Sequence, residues 1–251
     1  MLISNRCVVV FICAIIVSCS SVKKIDHTTS QQYTFKDSAN IVIDSIAYQI
    51  VKPYRDSLNL IMEEPLAVAE QSLEKSQPEG TLGNFVADVS LQQAQLNYTK
   101  DQIDFCVLNN GGLRAALPKG TITLRNVYEL MPFENELVIL TINGSTATKL
   151  FNFIASKNGM PVSHLQLKIK DLMPVDIKIN GIDFDSTQTY RIVTSDYLAG
   201  GGDNLEFLKS AINKEYINLK LRDAIITHLK NQTQLGKSIV AKKEGRIKYE
   251  Q

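Results

Sequence analysis

The residue types that could recognise a small polar ligand gather in three short stretches. In the first, Leu108-Asn109-Asn110-Gly111-Gly112-Leu113-Arg114, the apolar run Phe105 to Leu108 breaks off into two asparagines and two glycines. A strand should therefore feed a loop there. Gly112 and its neighbour lack a Cβ and let a ligand approach the main chain, while Asn109 and Arg114 offer amide and guanidinium hydrogen bonds. The other two stretches, Met131-Pro132-Phe133-Glu134-Asn135 and Asp196-Tyr197-Leu198-Ala199-Gly200-Gly201-Gly202-Asp203, set an aromatic beside small or polar residues at the end of an apolar segment. The Asp203 carboxylate follows three glycines and could accept two hydrogen bonds from a vicinal diol. From the residues alone the alternatives stay open: an ordinary Asn-Gly turn, aromatics that serve burial, and an aspartate that caps a loop.

Groups that could break a bond are missing. The chain has three histidines, His27, His164 and His228, and none has carboxylates at ligand spacing; Asp-x-His and Asn-His-Asp are absent, so no metal is expected on this chain. The glycines at 200–202 are not followed by Gly-Lys-Ser/Thr, and Gly144-Ser145 lacks the second glycine of a nucleophile elbow. Cys106, inside the apolar run, reads as a buried filler rather than a nucleophile. No catalytic residue is assigned.

Composition narrows the partners. A net charge of +1, with lysines and arginines scattered, argues against nucleic acid, and 44% hydrophobic with 21% charged residues is ordinary for a globular chain. The N-terminus reads as a targeting segment, residues 1–18: Arg6 is its basic start, Cys7 to Val17 a short apolar core, and Ile16-Val17-Ser18-Cys19 looks like the lipobox of a bacterial lipoprotein. That core is too short to span a bilayer. Cys19 would carry lipid, followed by a polar tether to residue 36 and a domain from 37 to 251.

The elements that must position the three stretches read as a mixture. A helix is expected from Asp37, capped by Asp37 or Ser38, with Ile43, Ile46, Ala47, Ile50 and Tyr54 on a buried face and Pro53 kinking or ending it. Leu66 to Ala69 suggests an edge strand protected by Pro65, and Leu82, Phe85, Val86 and Val89 recur at helical spacing. Thr121-Ile122-Thr123 leads into a short helix over 125–130. Leu137 to Ile142 reads as a strand covered on both faces, then Asn143-Gly144 turns and Ser145 caps a helix that Gly159 ends. Residues 165–169, 175–179 and 190–194 alternate as half-buried strands, with a hairpin signal at Asn180-Gly181, and a helix should run over 217–230. This pattern is α+β.

In order, the three stretches, together with Leu82-Gly83-Asn84-Phe85-Val86-Ala87-Asp88, Ile142-Asn143-Gly144-Ser145 and Glu244-Gly245-Arg246-Ile247, resemble the C-terminal domain of the 5'-nucleotidase family over about residues 38 to 248. The resemblance implies a layered α/β/β/α sandwich whose loops bind a nucleoside or nucleotide. By position, Phe133 and Tyr197 would sandwich the base, Asp203 would hold the ribose hydroxyls, Asn109 and Asn135 would address base or sugar, and Arg114 would supply charge toward a phosphate or the base edge. Stacking contributes about 1–3 kcal/mol per base and tolerates different bases. Family members hydrolyse phosphate esters with two metals on a separate N-terminal metallophosphatase domain, so divalent metals are expected only on a partner. Two positions depart from the family pattern: Pro78 stands in place of an upstream arginine, weakening a phosphate clamp, and Lys168 replaces a glycine, narrowing the pocket or restoring charge. The expectation is a lipid-anchored envelope protein, in the outer membrane and facing the periplasm. It would be the binding half of a split 5'-nucleotidase or, alternatively, a non-enzymatic nucleoside-binding lipoprotein or a degenerate interaction domain.

Overall fold

The computed structural model describes residues 28–31 and 44–250. The signal segment, Cys19, most of the tether and the Asp37 or Ser38 cap lie outside them. The chain divides into two compact units, 1–48 and 49–251. Of the first, the described parts are an exposed coil over 28–31 and the opening turn of helix α1 (Ser45–Met62), capped by Asp44, whose Oδ1 accepts from the amides of Ile46 and Ala47.

Helix α1 runs on through Pro53, so of the two effects expected there the proline does not end it, and its apolar residues are not buried as expected: Ile50, Tyr54, Leu58 and Ile61 are all exposed. An exposed helix tolerates an internal proline because the carbonyl it strips of a partner is solvated instead. Its end is tied by Arg125, which bonds Glu63 and Asn59. Among the described residues, no helix is long and apolar enough to cross a membrane.

Three sheets follow. Strand β1 (Pro65–Ala69) pairs antiparallel with β3 (Gly120–Thr123), with the proline at its first position as expected. A five-stranded sheet runs in the order β10 (Asn213–Lys220), β4 (Glu136–Asn143), β9 (Thr189–Ser195), β2 (Phe105–Val107), β5 (Val162–Ser163). A four-stranded sheet runs β11 (Ile247–Tyr249), β6 (Leu165–Lys170), β7 (Met173–Ile179), β8 (Ile182–Asp183).

Strand β4 lies inside the sheet between β10 and β9 and is buried over Leu137 to Leu140, which is why that run is apolar on both faces. Residues facing one side of the larger sheet, such as Leu137, Ile139 and Val193, join a core with helices α2 (Thr81–Asn97), α3 (Leu124–Leu130) and α6 (Leu221–Gln234). Residues facing the other side, Phe105, Val138, Leu140 and Ile192, share a second core with helices α4 (Gly144–Ser156) and α5 (Asp196–Ala199) and with Leu165, Leu167, Ile169 and Ile179 of the smaller sheet. Two sheets that share a core, with helices packed on them, form the layered α+β arrangement expected.

Local corrections follow from capping and register. Helix α4 is capped by Asn143, whose side chain accepts from Thr146 N at 2.8 Å, and not by Ser145. The Asn180-Gly181 turn has positive φ at both residues, 53° and 78°, as a two-residue hairpin requires, but leads into the short β8; β9 belongs to the other sheet. Residues 217–220 are the end of β10, so the last helix starts at Leu221. Strands β5, β10 and β11 had no expected counterpart; β5 is too short to show a period, and β10 has a register shift between Tyr216 and Leu219 that breaks its alternation.

Candidate functional site

The topology of the five-stranded sheet brings the three stretches together. Strand β2 runs parallel to β9 and β4 antiparallel to it, so the C-terminal ends of β2 and β9 and the N-terminal end of β4 lie at one edge. The pairing Leu137↔Ser195 sets the segment 131–135, just before β4, beside Asp196 and Tyr197, just after β9. Thr194 Oγ1 donates to the carbonyl of Val107 at 2.8 Å, cross-linking β9 to β2 where the Asn109 loop departs.

All seven residues singled out, Asn109, Gly112, Arg114, Phe133, Asn135, Tyr197 and Asp203, line one cleft of about 640 Å³ together with Gly111 and Glu134. That size is ordinary for a small-molecule site. Phe133 is 44% exposed and Tyr197 46%, so both rings present surface to the cleft instead of the core.

Asp203 is the most constrained group. Its backbone is left-handed at φ 53°, after Gly201 at φ 89° and before Asn204 at φ 69°. Asn109 Nδ2 donates to its Oδ2 at 2.7 Å, and the Tyr197 hydroxyl donates to its Oδ1 at 2.8 Å. Each oxygen keeps capacity for a second donor, so the carboxylate is aimed but not spent. Gly202 makes the arrangement possible: a Cβ there would stand 2.5 Å from ring carbons of Tyr197.

A second tie joins the two aromatic loops. Asp196 Oδ1 accepts from Asn135 Nδ2 at 2.9 Å and from the Tyr197 amide at 2.7 Å. One N–H of the Asn135 amide is thus committed to the scaffold. The Arg114 amide donates to Leu130 O at 2.8 Å, while its exposed side chain has no carboxylate partner among the described residues. Its charge is left for the cleft.

Sequence reasoning missed the support beneath Phe133. Arg222, buried at the start of α6, donates to the carbonyls of Met131 and Phe133 at 3.3 and 3.5 Å, pairs with Glu134, and lies 4.2 Å over the Tyr128 ring. Lys220 also binds Glu134, and together they hold its carboxyl below the usual range. The arginine was hidden inside a helix expected to begin four residues earlier. Arg222→Met keeps an apolar stem over Tyr128 but leaves two carbonyls without their donor. We expect a loss of about 1–3 kcal/mol in urea unfolding. Unchanged stability would exclude that role.

The two departures lie elsewhere. Lys168 pairs with Asp176 at 2.7 Å in the smaller sheet and does not line the cleft, which corrects the expectation that it narrows the pocket. Pro78 is outside the cleft lining too; its carbonyl packs against Gly159, where a Cβ would come within 2.0 Å of it. Asn84 and Asp88 hold the C-terminal segment: Asn84 Nδ2 donates to Lys242 O, and Asp88 accepts from Arg246 at 2.7 Å through both oxygens. A larger cavity of about 860 Å³ lies beside Asp88 and Arg246, but those charges are already paired with each other.

No set of three His, Cys, Asp or Glu side chains that could hold a metal occurs among the described residues. His228 packs edge-on against Phe85 with its pKa lowered by burial, and burial pushes the Cys106 thiol up.

Comparisons with known proteins support the family resemblance. The family model described as 5'-nucleotidase, C-terminal domain, matches residues 63–210, more than half of the chain. The cell wall protein Lmo0130 of Listeria monocytogenes is 28% identical over 188 residues, 68% of this chain and 24% of that protein. The 5'-nucleotidase of Vibrio cholerae is 24% identical over 212 residues, 80% of this chain and 36% of the other. A solved 5'-nucleotidase precursor from Thermus thermophilus superposes with a TM-score of 0.68 at 26% identity, covering 81% of this chain and 43% of that one. The chain thus spans well under half the length of these relatives. It belongs to the 5'-nucleotidase C-terminal domain family.

Proposed function

We propose that this chain is the nucleoside- or nucleotide-binding half of a split 5'-nucleotidase. It holds the substrate while a separate metallophosphatase hydrolyses the phosphate ester, and the pair serves nucleotide breakdown. The observation that carries this reading is the cleft itself: two half-exposed rings and a clamped carboxylate at one sheet edge. A base stacks on Tyr197 and Phe133, the ribose diol donates to Asp203, and Arg114 offers its charge to the base edge or a phosphate. The chain orients the substrate; the metals that activate water belong to the partner.

The protein is assigned to the bacterial cell envelope, held in the outer membrane by lipid on Cys19 and facing the periplasm. The lipobox-like Ile16-Val17-Ser18-Cys19 supports the lipid anchor, and similarity to a protein named as a cell wall protein supports the cell envelope but not a particular membrane. An unmodified Cys19 in membrane-extracted protein would remove the anchor.

The decisive assay mixes the purified chain with a metallophosphatase domain and follows AMP hydrolysis. We expect stimulation that saturates with added chain. No stimulation at any ratio, with tight adenosine binding by calorimetry, would leave a non-enzymatic nucleoside-binding lipoprotein. Absence of both would leave an interaction domain.

A further inference from the structure

Helix α1 is held to the domain by the wrong side for an amphipathic surface helix. The α-helical period places Ile50, Tyr54, Leu58 and Ile61 along one face and Lys52, Asn59 and Glu63 along the other, the Glu63 amide still bonding Asn59 O at 3.0 Å. The polar face is the moored one. Arg125 donates to Glu63 Oε1 at 2.7 Å and to Asn59 Oδ1 at 2.9 Å. The exit of the helix is fixed as well, because the Leu124 amide donates to Glu64 O at 2.9 Å and Lys230 pairs with the Glu64 carboxylate at 2.9 Å. The apolar face is left outward: Ile50 is 63% exposed, Tyr54 76%, Leu58 53% and Ile61 59%. A rigidly mounted apolar stripe of this kind marks an interaction surface.

We propose that this face of α1 docks the separate metallophosphatase, which receives it in an apolar groove as one face of a helix. The inference rests on the split-enzyme reading. Position favours that occupant first. The match to a domain described as C-terminal begins at residue 63, directly after α1, so the helix stands where that domain meets whatever precedes it in its relatives. Arg125, the mooring residue, lies in the first turn of α3, whose seven residues span about 10 Å before the chain enters the segment carrying Phe133. An enzyme seated on α1 is therefore brought beside the cleft that holds the nucleoside. Charge disfavours a lipid surface as the occupant: the segment 45–64 carries Lys52 and Arg55 against Asp56, Glu63 and Glu64, whereas helices that lie on anionic membranes are rich in lysine and arginine.

The test uses the full chain in its host bacterium, with the photo-crosslinking residue p-benzoylphenylalanine in place of Leu58 or, as the control, of Leu172, which is also 53% exposed but lies in the turn between β6 and β7. The expected adduct at position 58 is a protein that carries metallophosphatase metal ligands and, once purified, hydrolyses AMP with added divalent metal; position 172 should not capture it. In the stimulated AMP assay, the double variant Leu58→Glu/Ile61→Glu should raise the half-saturating concentration of this chain about tenfold or more, and Leu58→Met/Ile61→Met should restore it. Adenosine affinity and the thermal melt should not change, since both residues are exposed and lie outside the cleft lining. A double glutamate variant that stimulates as well as the wild type would overturn the docking face while leaving the split enzyme standing. Adducts with lipid alone, or with a second copy of this chain, would overturn it in favour of those occupants. A wild-type chain that stimulates no metallophosphatase would remove the split-enzyme reading and this inference with it.

Discussion

Asp203→Ala should weaken adenosine binding by about a hundredfold or more. Two hydrogen bonds from a ribose diol to a carboxylate are each worth about 1.5–3 kcal/mol, and every 1.4 kcal/mol is a factor of about ten. The same carboxylate also holds the Asn109 amide and the Tyr197 hydroxyl, so its removal frees one ring of the sandwich along with the sugar contact. Calorimetry of adenosine against 2',3'-dideoxyadenosine separates the two contributions. The wild type should discriminate strongly between these ligands, and the variant should treat them nearly alike. If Asp203→Ala keeps full discrimination, the diol is not recognised by this residue.

The rings come next. Phe133→Ala and Tyr197→Ala should each lower nucleoside affinity by about 5- to 150-fold, the equivalent of about 1–3 kcal/mol of stacking. Neither ring is core, so thermal stability should change little. Tyr197→Phe retains the π-face while deleting the bond to Asp203 Oδ1, and its loss should be smaller than that of Tyr197→Ala. Gly202→Ala offers an independent probe, because its Cβ would displace the Tyr197 ring without altering the ring's chemistry. Adenosine, guanosine and cytidine should suffer comparable losses, since every base has a face to stack. An affinity that survives loss of both rings would rule out a base held between them.

How much of this is legible without coordinates depends on whether a residue's role is local. Glycine-rich turns, a strand buried on both faces, and the helix that follows Asn143 are written in neighbouring residues, and each lies close to where its pattern puts it. The ligand-facing stretches are legible for the same reason, as loops that interrupt apolar runs. Roles set by contacts distant in sequence are not. The buried face expected for Ile50 and Tyr54 is exposed, because periodicity reports amphipathicity and not what covers it. Lys168 matches a pocket position by its place in a motif, yet the strand carrying it belongs to the other sheet.

By itself, the chain's order of residues determined an α+β domain and loops rich in polar and aromatic groups, because these depend on residue type and spacing; the motifs in order carried the resemblance to its family, and only that resemblance assigned those groups to a nucleoside. Only the tertiary structure decided that β2 and β9 end, and β4 begins, at the same edge, so that Asn109, Phe133, Tyr197 and Asp203 face one cleft. It also decided that Arg222 anchors the Phe133 segment and that α1 is moored by its polar face. The physical reason is strand direction: pairing register converts positions almost a hundred residues apart into neighbours, and no local pattern encodes which strand will pair with which.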